Sequence, residues 1–185
     1  MTDAARLFAA VDLPDAVRSD LAAWARAAIG HRDDLRRVPA DALHLTLAFI
    51  GDRALEEAGE IGEAVTEAAE GEVPLRIGAP LWLSPRHPHV LTVAIEDPTG
   101  ALTALHTRVE AALAARCGLV PERRTFRPHV TVARVRRGAR IRPVPLEAPP
   151  PSRFNAVAVT LYRSRLSPGG SQYEALARAP LARPG

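Results

Sequence analysis

Five residues, His44-Leu45-Thr46-Leu47-Ala48, recur almost unchanged as His129-Val130-Thr131-Val132-Ala133. Both copies alternate apolar and non-apolar side chains, which is the period of a half-buried strand. Side chains two apart on a strand share a face. His44 and Thr46 therefore point one way, while Leu45, Leu47 and Phe49 point the other, into a core. Val130 and Val132 serve His129 and Thr131 in the same manner. Of the six histidines, only these two carry threonine at the second following position. Alanine stands four residues after each, a small side chain that leaves the floor of that face open. A fold that honours both copies has to present two similar strands with like faces. The duplication favours a paired site, two imidazoles facing each other, over two unrelated sheet histidines.

The rest of the chain bounds what such a site can be. With 185 residues the chain is expected to form one domain of ordinary size, or two small lobes sharing a core. No apolar run approaches the roughly 20 residues of a membrane span, and Leu7 to Val11 is too short for a secretory leader. Cys117 is the only cysteine, so neither an internal disulfide nor a thiolate cage is available. These features point to the cytoplasm, with no membrane partner, and a monomer is the default expectation. His87-x-His89 is the one close histidine pair and reads as a turn followed by a strand start, so no metal is expected. No glycine-rich phosphate loop of the P-loop or dinucleotide type is present, and nothing calls for a cofactor.

Net charge is only +3, but its distribution is uneven. Between Asp52 and Glu72 eight acidic residues stand against the single base Arg53, the pattern of a helix's solvated face. Between Pro121 and Arg142 eight arginines (123, 124, 127, 134, 136, 137, 140 and 142) stand against the single acid Glu122. The basic block surrounds the second histidine motif, and such clustering is the footprint of phosphate binding.

Taken in order, Arg6 to Asp12 reads as a strand with Leu7, Ala9 and Val11 on one face. Pro14 opens a helix carrying Val17, Leu21, Trp24 and Ala28, with Gly30 at its end. A polar loop from Asp33 to Asp41 leads to the first motif strand, Leu43 to Ile50, which Gly51-Asp52 breaks. Leu55, Ala58, Ile61, Val65 and Ala68 trace a second helix. Val73 to Ile77 and Leu81 to Leu83 read as two short strands, and His89 to Glu96 as another. Asp97-Pro98 starts a third helix through Leu102, Leu105, Val109 and Leu113, ending near Gly118. His106 sits at the edge of that stripe, more suited to packing than to catalysis. The second motif strand runs from His129 to about Arg136. Pro143 to Pro151 is an irregular connector. Asn155 to Leu166 and Gln172 to Ala177 form a hairpin across Pro168-Gly169-Gly170. Strands and helices without a strict βαβ rhythm indicate an α+β fold with antiparallel pairing.

Two facing imidazoles suit phosphodiester cleavage, because a neutral ring takes a proton from water while a protonated ring gives one to the departing oxygen. A threonine hydroxyl on the same face donates to a non-bridging phosphate oxygen, and a neighbouring arginine adds bidentate neutralisation. Aromatic residues are only 4% of the chain, which limits recognition to the terminal phosphate and a nucleotide or two.

The two motifs His44-Leu-Thr46-Leu and His129-Val-Thr131-Val resemble the paired HxTx signatures of the two-histidine (2H) phosphoesterases. The match is closest to the LigT-like branch, the RNA 2',3'-cyclic phosphodiesterases also called 2'-5' RNA ligases. Arg6 to Pro14, Arg37 to Gly51, Phe126 to Arg134, Leu161 to Leu166 and Tyr173 are similar to that branch in order and spacing. The resemblance implies a bilobal α+β fold: two antiparallel sheets related by a pseudo-two-fold axis, helices outside and a groove between. It implies metal-free hydrolysis of RNA 2',3'-cyclic phosphate ends to 2'-phosphates, with reversible 2'-5' ligation as a further activity. Substrates implied are RNA ends such as tRNA halves, or small cyclic nucleotides. In this analogy His44 is the proton donor to the leaving 3' oxygen and His129 the proton acceptor that activates water. Thr46 and Thr131 hold the phosphate oxygens, Arg134 touches the terminal phosphate, Arg127 is a further substrate-binding candidate, and Phe49 flanks a base. Strand parity objects to Arg134 and Phe49. Five residues after a histidine lies on the opposite face unless the strand bends, which makes core packing the expected job of Phe49. The competing readings are a non-catalytic RNA-end binder and a phosphodiesterase for small cyclic phosphates.

Overall fold

The computed structural model describes residues 4–84, 87–122, 124–167 and 170–181. Along them run β1 (Ala4–Asp12), α1 (Asp15–Ile29), β2 (Leu35–Arg37), β3 (His44–Ala54), α2 (Ala58–Glu67), β4 (Pro74–Leu83) and β5 (Val90–Glu96). They are followed by α3 (Ala101–Cys117), β6 (His129–Val135), β7 (Arg153–Asn155), β8 (Ala158–Ser167) and β9 (Gly170–Pro180). Short 3-10 turns at Ala40–Ala42 and Leu55–Glu57 lead into β3 and α2.

The strands pair antiparallel in the order β7-β4-β5-β6-β3-β1-β8-β9, with β2 added beside β6. The two motif strands, β3 and β6, are the middle of this order. Outward from them the arrangement is matched, β5, β4 and β7 on one side and β1, β8 and β9 on the other. β3 and β6 meet at a single residue pair, Leu45 with Val130. The two expected sheets are thus two four-stranded leaves of one sheet, joined at a narrow waist beside the histidines.

Apolar faces account for the packing. Leu45, Leu47, Val130 and Val132 are buried together with Leu7, Ala9 and Val11 of β1 and Leu91 and Val93 of β5. The stripe Leu102-Leu105-Val109-Leu113 is buried as its spacing requires, and Ile61 and Val65 are buried on α2 with Ala64 beside them. On α1 Ala25 and Ile29 complete the face begun by Val17 and Leu21, where Trp24 and Ala28 were expected. The acidic residues of α2 are solvated as expected, with Glu63 and Glu67 reaching Arg116 of α3 at 2.9 and 2.6 Å, whereas Glu72, past the helix, is partly buried. Trp24 and Trp82 donate their indole N–H groups to the carbonyls of Glu147 and Val144, which ties the proline-rich connector to the body. Among the described residues no helix is long and apolar enough to cross a membrane.

Several boundaries differ from the sequence reading. β3 continues past Gly51-Asp52 to Ala54, because glycine accepts φ 85° at residue 51 while Leu7 and Arg6 still pair with Gly51 and Asp52. Residues 74–83 form one strand with an irregularity between Ile77 and Pro80, where two short strands were expected. Asp97 caps α3 from outside: its carboxylate accepts the backbone N–H groups of Leu102 and Thr103 at 3.2 and 2.9 Å, and the helix starts at Ala101. Asp33 to Asp41 is not all loop, since β2 lies within it, and β7 follows the connector and pairs with β4. The strand expected from Asn155 begins at Ala158 and returns as Gly170–Pro180; Pro168 and Gly169 of its turn lie outside the described residues.

Candidate active site

His44 and His129 are each the first residue of their strand. The Leu45–Val130 pair, extended one residue either way, sets His44 across from Thr131 and Thr46 across from His129. The motif side chains alternate as expected: Leu45, Leu47, Val130 and Val132 are buried, while the histidines and threonines are partly exposed on the other face.

An identical irregularity then interrupts both strands. Ala9 and Ala10 of β1 pair with Ala48 and Thr46, skipping Leu47. Leu91 and Thr92 of β5 pair with Ala133 and Thr131, skipping Val132. Each bulge lies three residues after its histidine. An extra residue on one strand shifts the alternation by one position. The fifth residue after each histidine thereby returns to the histidine's own face. Arg134 comes to the site for this reason. So does Phe49, which is 73% exposed on the groove rather than packed in the core, correcting the expectation from strict parity.

The imidazoles are anchored alike. His44 Nδ1 donates to the carbonyl of Ala42 at 2.8 Å, and His129 Nδ1 donates to the carbonyl of Arg127 at 2.7 Å. A carbonyl only accepts, so Nδ1 carries the hydrogen in both rings and Nε2 is left to exchange protons. The surroundings differ. His44 is enclosed by the rings of Phe8 (centroids 4.9 Å apart), Tyr173 (5.0 Å, edge-on) and Tyr162 (6.2 Å). Burial pulls its pKa below the ordinary histidine value. The Ala42 carbonyl and Asp12 work against that pull, while the charges of Arg134 and His129 add to it. Asp12 pairs directly across from His44. Its carboxylate also accepts hydrogen bonds from Thr160 Oγ1 at 3.0 Å, the Tyr162 hydroxyl at 2.7 Å and Arg178 Nε at 2.9 Å. Burial, then the bond to Asp12, push the Tyr162 phenol up to about 12. In the other leaf Ala94 pairs with His129 and Thr92 with Thr131.

His129, Thr131, Thr46, Arg134, Arg127 and Phe49 line one groove of about 740 Å³. His44 is not among the residues that line it; its strand neighbours Thr46 and Phe49 are, and its own ring lies against Phe8, Tyr162 and Tyr173. The far end of the groove is walled by Phe126, stacked on His106 at 3.9 Å. His106 Nδ1 donates to the Leu47 carbonyl at 3.1 Å, and its Nε2 lies 3.3 Å from Glu110. It packs, as expected, though at the groove wall.

The arginine block divides. Arg124, Arg127 and Arg134 line the groove. Arg136 lines a different depression, and Arg137, Arg140 and Arg142 are exposed on the segment beyond β6. Arg123 lies outside the described residues. Sequence reasoning did not single out Phe8, Asp12 or Tyr162 as site residues. Their signal is weak, because most of β1 is apolar on both faces and the polar residues of β8 read as solvated, so alternation does not say which face borders the histidine. Among the described residues no group of three or more His, Cys, Asp or Glu is placed to hold a metal ion.

Comparison with known proteins adds independent findings. A model of the 2'-5' RNA ligase superfamily matches residues 13–167. The RNA 2',3'-cyclic phosphodiesterase of Escherichia coli is 32% identical over 182 residues, covering 96% of this chain and 97% of that protein. The protein of the same name from Thermus thermophilus is 31% identical over 186 aligned positions, covering 95% of this chain and 90% of that one. Among solved structures, E. coli LigT in apo form superposes with a TM-score of 0.79 at 28% identity, covering 98% of this chain and 100% of LigT. Its complex with 3'-AMP gives a TM-score of 0.76 at 30% identity and the same coverage.

Proposed function

This chain belongs to the 2'-5' RNA ligase superfamily, and from that membership we propose that it opens RNA 2',3'-cyclic phosphate ends to 2'-phosphates with His44 as proton donor and His129 as proton acceptor. Phosphorus lies between the two Nε2 atoms. Water approaches from the open side, where His129 meets solvent, and forms the new P–O bond while its proton passes to His129 Nε2. The P–O3' bond breaks on the opposite side, and O3' takes the proton held on His44 Nε2. The two rings finish with exchanged protonation states and re-equilibrate with solvent. A 5'-hydroxyl in place of water yields a 2'-5' linkage by the same proton transfers. The hydroxyls of Thr46 and Thr131 donate to the non-bridging oxygens, Arg134 neutralises them, and Arg127 flanks the entrance. Phe49 offers a face to a base.

Burial opposes a charged His44 in the free enzyme. A cyclic phosphate monoanion arriving beside it favours the protonated ring, so substrate charges its own acid. The observation that carries this reading is the matched Nδ1 anchoring of two histidines on adjoining strands, which leaves two Nε2 atoms as the exchangeable sites.

The test is turnover of an RNA ending in a 2',3'-cyclic phosphate. Each of His44→Ala and His129→Ala is expected to lower kcat by about 10²–10⁴-fold with unfolding curves still cooperative. The wild-type rate should persist in chelator, and its pH profile should be bell-shaped. Undiminished turnover in either folded variant overturns the acid/base pairing. Absence of turnover in the wild type, with RNA still bound, favours a non-catalytic end binder.

A further inference from the structure

The polar surface around the site does not stop at Arg134. On the side away from Phe126, Arg134 also lines a second groove of about 510 Å³ with Arg36, Arg37, Asp41, Gln172 and Tyr173. The β2–β6 register sets Arg36 directly opposite Arg134, so both side chains stand on one face. Like charges in that relation destabilise an antiparallel pair, unless an anion lies between them. The Arg36 guanidinium packs over Gly170, where a Cβ would fall 3.0 Å from its Nη1, so the start of β9 holds it at the groove mouth. A third depression of about 550 Å³ shares Arg36 and Arg37 and continues to Arg26, His31 and Arg136. The acids facing this path are Asp33 and Asp41, and Arg32 beside it is already paired with Asp34. The opposite arm of the catalytic groove has another character. There Phe49, Val120 and Phe126 line it, and Arg124 and Arg127 are set against Glu110 and Glu122.

We propose that the RNA chain on the 5' side of the reacting nucleotide leaves the catalytic pocket along this arginine path. Its first phosphodiester lies between Arg36 and Arg134, and the following backbone runs past Arg37 towards Arg26 and Arg136. The terminal base takes the aromatic arm. This inference rests on the function proposed above and deepens it: the preferred substrate class is an oligonucleotide bearing a cyclic phosphate, not a mononucleotide.

The experiment compares kcat/KM for a pentaribonucleotide ending in a 2',3'-cyclic phosphate with kcat/KM for a mononucleotide 2',3'-cyclic phosphate. The full chain is used, as wild type, as Arg26→Ala/Arg136→Ala, and as Arg137→Ala/Arg140→Ala. The last pair removes equal charge from an exposed neighbouring segment that lines neither depression. The ratio of the two kcat/KM values is expected to favour the pentanucleotide in the wild type and to fall about tenfold in Arg26→Ala/Arg136→Ala. Two lost backbone contacts should also flatten the log–log salt dependence for the pentanucleotide by about 1.4, at roughly 0.7 per contact on a single strand. The Arg137→Ala/Arg140→Ala ratio should match the wild type. A wild-type ratio near one, or an equal fall in both variants, overturns the path while leaving the phosphodiesterase standing. If neither substrate is turned over, the function proposed above fails and the path falls with it.

Discussion

The two motif strands carry nearly the same five residues, the same bulge three residues on and the same Nδ1 anchor two residues back, yet their histidines sit in different surroundings. His44 is roofed by rings from β1, β8 and β9, with a carboxylate across from it. His129 has Ala94 across from it and opens on the groove. Duplication therefore supplies the geometry, and the flanking strands supply the division of labour. The ring enclosed by aromatic neighbours suits delivery of a proton to a bound oxygen; the ring that lines the groove suits a reaction whose nucleophile is water.

The fifth residue after each histidine tests this division with the largest effect. Arg134 and Phe49 occupy equivalent places beyond equivalent bulges, but only Arg134 brings charge. Arg134→Ala is expected to lower kcat/KM by about 10²-fold, the scale of one lost donor to a developing oxyanion. Phe49→Ala should cost about 1 kcal/mol of base stacking, roughly fivefold, carried in KM. The midpoint of thermal unfolding should hardly move for Phe49→Ala, since the ring is 73% exposed. Steady-state kinetics with unfolding curves for both variants check this. Equal losses would mean that the two halves are not specialised.

The same two positions mark where sequence reading stops. Alternation placed His44, Thr46, His129 and Thr131 on one face correctly, because a period of two follows from backbone geometry alone. It misplaced Phe49, because a bulge is one extra residue with no side-chain signature at Leu47 or Val132. Gly51 looked like a strand end for a related reason: glycine marks a φ above zero, and that φ here bends a strand that continues. The α3 stripe was legible down to its buried residues, but its start was not, since Asp97 reaches the helix across an intervening turn. In α1 the reading slipped by one residue past Leu21, with Ala25 and Ile29 buried where Trp24 and Ala28 were expected. The enclosure of His44 was the least legible part. Phe8 is far in the chain from Tyr162 and Tyr173, which share a hairpin, and the convergence of all three on His44 depends on the order of β3, β1, β8 and β9 in the sheet. The arginine block was read as one patch, but the chain leaves the groove after β6 and carries half of it elsewhere.

A smaller effect separates the acid from the base. Asp12→Asn removes a charge that supports protonation of His44. One limb of the pH–rate profile should then move towards acid while the other stays. Ala94→Asp puts a carboxylate at the corresponding place beside His129. It should move the other limb towards alkali. The two substitutions are thus expected to act on different limbs. Asp12→Asn also breaks a network with Thr160, Tyr162 and Arg178, so about 1–3 kcal/mol of stability should go with it. If both substitutions moved the same limb, the histidines would not hold separate roles.

The smallest expected effect concerns stability without substrate. Folding buries His44 and depresses its pKa below the ordinary 6.5. Between those two values the unfolded chain holds the proton more tightly than the folded one. Stability due to this group is therefore fully present above about pH 6.5 and is lost as pH falls through the window below it. His44→Gln keeps a donor for the Ala42 carbonyl but cannot titrate. Its melting temperature should fall less steeply between pH 7 and pH 5 than that of the wild type. His129→Gln, at the same motif position but open on the groove, is the matched substitution against which that slope is compared. Thermal unfolding of the three proteins across that range reads the difference directly. Equal flattening by both substitutions would show that the roof over His44 does not hold water away from it, and the contrast between the two leaves would then have to come from charge alone.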